Sequence, residues 1–350
     1  MRLPPRWLRR LVLAPAVLVL AVVLVTTLPL WLLLAAAASP LVPGRFRPLR
    51  VIWLGTFYVV WDAAALVALF ALWLASGFGR RKRSPAFQRA HYVLTGQFLR
   101  LLFWQARWTL RLRIDVTGSD PDTALPGRPE LVVSRHAGPG DSFILIHALV
   151  NWFDREPRIV LKDTLQWDPA VDVMLNRLPN RFITLHKDGS ARPSRRREAN
   201  ETVNDQITNL ATGLDDNDVF VIFPEGGNFT PRRRLKAIQW LRSHGFERMA
   251  VRAEAMQHVL APRPGGLLAA LEAAPEAGVI FVAHTGLDRM RTVADVWREL
   301  PMDKRIMMHF WSVSPEEVPT GRAERIDWLF DWWARIDKWI EANQPVNSGA

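Results

Sequence analysis

Two long apolar runs open the chain and limit what it can fold into. Leu11 to Ala38 carries no charged residue, and Val51 to Ala75 is interrupted by Asp62 alone. Each exceeds the roughly 20 residues that cross a bilayer core as a helix. The expectation is an N-terminal membrane hairpin over residues 1–83. A secretory signal is the competing reading, since Arg2, Arg6, Arg9 and Arg10 precede the first run and small residues from Ala35 to Ser39 close it. The apolar part of a signal, however, is only about 7–15 residues long. Arginines flank the hairpin before the first run and after the second, at Arg80, Arg81 and Arg83 with Lys82. By the positive-inside rule both ends then face the cytoplasm. Arg45, Arg47 and Arg50 lie in the intervening loop, which leaves a re-entrant hairpin open as an alternative. Asp62 reads either as a functional intramembrane charge or as a residue facing its partner helix or a polar pocket.

The remainder, in a chain of 350 residues, suffices for a core that needs no covalent staples. Cysteine is absent, which excludes disulfides, thiolate metal sites and a cysteine nucleophile. A net charge of +11 suits an anionic surface, lipid or nucleic acid; no nucleic-acid module accompanies it. Pro85 to Trp108 reads as a helix with Phe87, Tyr92, Leu94, Phe98, Leu101, Leu102 and Trp104 mostly on one side, either interfacial or core-packing. Beyond it, apolar runs rich in β-branched residues recur at Leu110–Val116, Glu130–Ser134, Arg158–Leu161, Arg181–Leu185, Val219–Phe223 and Gly278–Ala283, with helical stretches between them. That alternation predicts an α/β domain over residues 110–320, with a largely parallel or mixed central sheet flanked by helices. An interfacial helix over 84–109 would precede it and a Trp-rich helix with a tail over 321–350 would follow.

Two short segments carry the chemistry. In SRHAGPGDSF, His136 follows a strand-like run and Asp141 opens a helical one across a Gly-Pro-Gly turn. A neutral imidazole can take a proton from a hydroxyl, and a nearby carboxylate fixes its tautomer. Asp141 could equally cap the helix it opens. In VFVIFPEGGNFT, the buried-strand pattern Val219–Phe223 ends in Pro224, Glu225, Gly226 and Gly227. Glycines there let backbone approach a ligand, and turn amides can hold an oxyanion or phosphate; Pro and Gly together also end strands with no further role.

H-x4-D followed by F-P-E-G within one α/β domain resembles the glycerolipid acyltransferases, the 1-acylglycerol-3-phosphate acyltransferase family. VLKDTLQWDP, with Lys162, looks like the family's lysine-containing segment, NRFITL resembles its second motif, and HVLAPRPGG, with Pro262 and Arg263, is similar to the L-x-P-R segment of the lysophospholipid-acylating branch. The likeness runs from about Leu110 to Ala283. It implies attack of an acceptor hydroxyl on an acyl thioester, with His136 as base and Asp141 as its orienter. Residues Glu225 to Gly227, with Pro224, Lys162 and Arg263, would serve substrate binding. The donor would be acyl-CoA or an acyl carrier protein, the partners membrane lipids and a lysophospholipid. No cofactor and no metal are implied. The resemblance places the enzyme at a membrane with its active site facing the cytoplasm.

The sequence also departs from the pattern. Gly227 and Asn228 stand where members commonly show T-R, so the arginine expected to hold the acceptor phosphate is missing. Arg232, Arg233, Arg234, Arg263 or Lys187 are the candidates to replace it. A different acceptor, such as a lysophosphatidylinositol, a lysophosphatidylglycerol or a glycosylated lipid, is also compatible, as is a silent lipid-binding scaffold. Arg192–Arg197 and Arg232–Lys236 are candidate lipid-facing tracts. In the C-terminal segment, Ile326, Leu329, Phe330, Trp333, Ile336 and Ile340 fall at helical spacing beside further tryptophans, which fits either a membrane anchor or a helix packed on the core.

Overall fold

The computed structural model describes residues 3–44, 46–81, 84–138, 140–183, 203–286, 297 and 305–344. Pro139, Leu185, His186, Lys187 and the tract Arg192–Arg197 lie outside them. The chain divides into two compact units, Met1–Leu112 with Leu161–His186 and Trp297–Asp303, and Arg113–Val160 with Lys187–Val296 and Lys304–Ala350.

The first unit contains the helices Arg6–Leu41 and Arg47–Ala75, both long and apolar enough to cross a membrane. Leu11, Val19, Val22 and Leu33 on the first of them are exposed, an apolar surface of the kind that lipid covers. At the start of that helix, Arg9 Nη2 donates to Asp172 Oδ1 at 2.9 Å and Gln166 Oε1 at 3.0 Å. Asp62 is buried, and it meets Asp168 and the Ala170 backbone. Tyr58 Oη donates to the same Asp168. Asp62 thus faces the segment around Asp168. The helix Pro85–Leu110 buries His91, Tyr92, Thr95, Phe98, Leu99 and Phe103. Trp104, expected on the apolar side, is instead exposed. A three-residue strand, Arg181–Ile183 (β4), completes this unit.

The second unit is built on β1 (Arg113–Gly118), β2 (Glu130–Ser134), β3 (Glu156–Lys162), β5 (Asp218–Ile222), β6 (Gly278–Thr285) and β7 (Arg305–Val313). Their order is β1-β7-β6-β2-β5-β3. β3, β5, β2 and β6 run parallel, as strands separated by helices do. β7 lies antiparallel to β6 and parallel to β1, which makes the sheet mixed. β7 was not expected from the sequence. Its run RIMMHFWSV is rich in methionine and aromatics instead of β-branched residues, and its burial alternates where the central strands are buried throughout.

Both faces of the central strands are covered. Leu131, Val133, Phe220, Ile222, Val279 and Phe281 join the main core, and the alternate residues Val132, Val221, Ile280 and Val282 are equally inaccessible. The helix Arg322–Ala342 supplies Leu329, Phe330, Trp333, Ile336 and Ile340 to that core, with Trp332 stacked on Phe281 at 4.4 Å between ring centroids. The core-packing reading of this helix therefore holds for its apolar stripe. Phe281→Ala removes the ring that Trp328 and Trp332 both contact. The expected cost is about 3–5 kcal/mol, to be read as a lowered unfolding midpoint of the detergent-solubilised protein; an unchanged midpoint would show that the stack is not part of the core.

Candidate active site

The register of the sheet brings the two motifs to one edge. Val133 pairs with Ile222 across β2 and β5, so His136 and Pro224 emerge side by side from the carboxyl ends of neighbouring parallel strands. Such ends, where loops leave a parallel sheet, are where open α/β sheets bind ligands.

His136 Nδ1 lies 2.9 Å from Asp141 Oδ2 and 3.1 Å from Oδ1. The Asp141 side chain is almost wholly buried, whereas that of His136 is 21% exposed. Asp141 Oδ2 also accepts from Ala137 N at 2.6 Å and Gly138 N at 3.0 Å, and Oδ1 from Ser142 N at 2.7 Å. Asp141 is therefore the first residue of the helix Asp141–Asn151 but does not cap its inner turn amides. Its carboxylate closes the loop before the helix around the histidine. Burial alone would raise the Asp141 pKa; the hydrogen bond from His136, the charges of His284 and His136 and the Gly138 amide outweigh it and lower the value to about 2. Asp141 is thus an anion throughout the neutral range. Among the described residues His136 Nε2 makes no hydrogen bond, so the ring presents one engaged and one open nitrogen.

Glu225 faces inward. Its Oε1 accepts from His136 N at 3.4 Å and its Oε2 from Leu260 N at 3.3 Å. Burial pushes this carboxyl up to about 8, against the nearby Arg135 charge and the two amides. The loops are knitted further by Phe229 N donating to His136 O at 2.8 Å and Arg263 N to Pro224 O at 2.8 Å. Gly226 sits at φ +67°, a left-handed conformation that favours glycine, and its own N–H is spent on Phe223 O at 3.1 Å. A Cβ on Gly226 would meet the Arg263 guanidinium at 3.3 Å, and one on Gly227 would meet Arg233 Nη1 at 3.0 Å.

His136, Asp141, Pro224, Glu225, Gly226, Gly227 and Arg263 are thus brought together. Lys162 is exposed at the end of β3, beyond Val160, where the division between the units falls within that strand, and it is counted with the first unit. Two participants were missed from the sequence. Arg135 is fully buried and donates to His284 O at 2.7 Å and His258 O at 3.2 Å. His284, also buried, places Nε2 3.6 Å from Asp141 Oδ2. The available signal for Arg135 was a charged residue directly continuing the apolar run of β2; for His284 it was a histidine embedded in the apolar run of β6.

The fold and this edge define an α/β domain with a buried carboxylate–histidine pair opening outward beside a glycine turn. Residues 113–263 match the family model described as Acyltransferase. Both motifs fall within the matched residues. Among solved structures, the 1-acyl-sn-glycerophosphate (LPA) acyltransferase PlsC from Thermotoga maritima is similar over 86% of this chain and 100% of that one, at 15% identity and a TM-score of 0.49. No curated protein matches the sequence.

The raised Glu225 pKa has a sign that can be tested. Between its ordinary value of 4.5 and about 8 the folded state holds this proton more tightly than the unfolded state. Stability therefore falls as pH rises through that window. Glu225→Gln removes this contribution, so the decline in unfolding midpoint from pH 5 to 8 is expected to be shallower in the variant; equal slopes would contradict it.

Proposed function

We propose that this protein transfers a fatty acyl group from an acyl thioester, acyl-CoA or acyl carrier protein, to a hydroxyl of a lysophospholipid such as 1-acylglycerol-3-phosphate. The observation that carries the reading is the His136–Asp141 pair, with its buried anion and its outward imidazole nitrogen, inside the matched acyltransferase region. His136 Nε2 takes the acceptor hydroxyl proton as the oxygen attacks the thioester carbonyl. Asp141 accepts from Nδ1 and stabilises the imidazolium that forms. The tetrahedral oxyanion then collapses, the C–S bond breaks, and the proton on His136 passes to the departing thiolate. The acyl group moves directly from sulfur to oxygen, with no covalent acyl-enzyme.

The turn amides at Glu225, Gly227 and Asn228 are the candidates to hold the oxyanion, since that of Gly226 is engaged within the turn. The two long apolar helices support a membrane location, and their flanking arginines support a catalytic unit on the cytoplasmic side. Lys162 belongs to this reading as a candidate substrate contact.

The test is mass-spectrometric detection of acylated product from purified protein given acyl-CoA and a panel of lysophospholipids. His136→Ala is expected to lower turnover by roughly 10²–10⁴. Turnover that survives this substitution would show that the base lies elsewhere.

A further inference from the structure

The arginine that ordinarily follows the F-P-E-G turn in this family is absent here, yet the turn carries two guanidinium groups from other parts of the chain. We propose that Arg263 and Arg233 together form a phosphate-binding pair over the Gly226–Gly227 dipeptide. This inference rests on the acyltransferase reading for its ligand, and on geometry alone for its existence.

The geometry is specific. The Arg263 guanidinium lies 3.3 Å from the position a Gly226 Cβ would take, and Arg233 Nη1 lies 3.0 Å from that of Gly227. Consecutive Cα atoms are about 3.8 Å apart, so the two cationic heads are held against adjacent residues of one turn. Side chains at 226 and 227 would push both heads away, and the glycines leave the space they occupy. Each arginine is fixed at its base. Arg263 N donates to Pro224 O at 2.8 Å. Arg233 Nη1 donates to Asn228 O at 3.0 Å, and its own N–H is capped by Thr230 Oγ1 at 3.1 Å. The neighbouring Arg234 does not share in this, because its guanidinium turns to Glu254 O, 2.7 Å away, and Met256 O.

Charge completes the argument. Arg263 and Arg233 are exposed, and among the described residues neither forms an ion pair with a carboxylate. The nearest acid in sequence, Glu225, points inward to the amides of His136 and Leu260. Two guanidiniums with no carboxylate partner among the described residues, held against one glycine turn, match the planar, multi-donor recognition that phosphate oxygens favour. The same dipeptide is tied to residue 136 on both sides, by the Glu225 carboxyl and by Phe229 N. A phosphate bound there lies beside the dyad. Its chemistry comes from one of two sources, the headgroup of the acceptor lysophospholipid or the phosphates of a CoA donor.

The experiment uses the full-length protein in detergent, with Arg263→Gln, Arg233→Gln and the double variant. Arg248→Gln, which removes an equal charge from an exposed pair with Asp327, is the control. KM is measured with 1-acylglycerol-3-phosphate and with acyl-CoA varied in turn, and glycerol 3-phosphate and free CoA are titrated calorimetrically as probes that need no turnover. Each single variant is expected to raise one of the two KM values, or weaken one of the two probes, by about tenfold or more, as loss of a charged hydrogen bond does. A rise confined to the acceptor and glycerol 3-phosphate identifies the headgroup; one confined to acyl-CoA and CoA identifies the donor. KM and probe affinities within twofold of native in the double variant overturn the proposal while leaving the acyltransferase intact. Probe binding lost in the variants of a chain that turns over no acceptor keeps the anion site and removes the acyltransferase reading. A native chain that neither binds a probe nor turns over any acceptor overturns both.

Discussion

The Asp141 carboxylate is the group on which the candidate site depends. Buried charge is costly unless its oxygens are satisfied, and here His136 Nδ1 and the amides of Ala137, Gly138 and Ser142 all donate to it. The result has two consequences at once. The loop after β2 can follow only the path that brings those amides around the anion, and the imidazole is held by one nitrogen with the other left outward. Position of the ring and ionisation of the carboxylate therefore have the same cause.

A second buried assembly fixes what surrounds that pair. Arg135 continues β2 and grips the carbonyls of His258 and His284, while Glu225 at the end of β5 gathers the amides of His136 and Leu260. Strand register places these residues at one edge of the sheet, and hydrogen bonds from side chain to backbone then lock loops that come from four separate parts of the sequence. Asp337, in the C-terminal helix, adds to the same network by accepting from Gln257 N at 3.0 Å and His258 N at 2.6 Å. The Trp-rich helix thus supports the site through its acid as well as the core through its apolar stripe.

How much of this the sequence disclosed follows from the range of each interaction. The His136–Asp141 pair spans five positions, and all six expected strands overlap strands of the structure within the residues described, because local pattern determines both. Arg135 and His284 escaped notice because their meaning comes from partners far along the chain and from burial that a single charged letter in an apolar run does not announce. Arg263 was named through family likeness, whereas its contact with Gly226 exists only once Pro224 O and Arg263 N are paired. Asp62 was similarly legible as an anomaly but not as a neighbour of Asp168. β7 was lost to composition, since methionine and aromatic residues can serve a half-buried strand without the β-branched signature.

The central claim is that Asp141 holds His136 with Nδ1 engaged and Nε2 available as base. It is tested most directly by nitrogen-15 NMR of histidine-labelled protein, with the His136 signals assigned by their loss in His136→Gln. The account predicts that the neutral tautomer of the ring carries its proton on Nδ1 and leaves Nε2 unprotonated, with that preference lost in Asp141→Asn. A ring protonated at Nε2 in the native chain would contradict it.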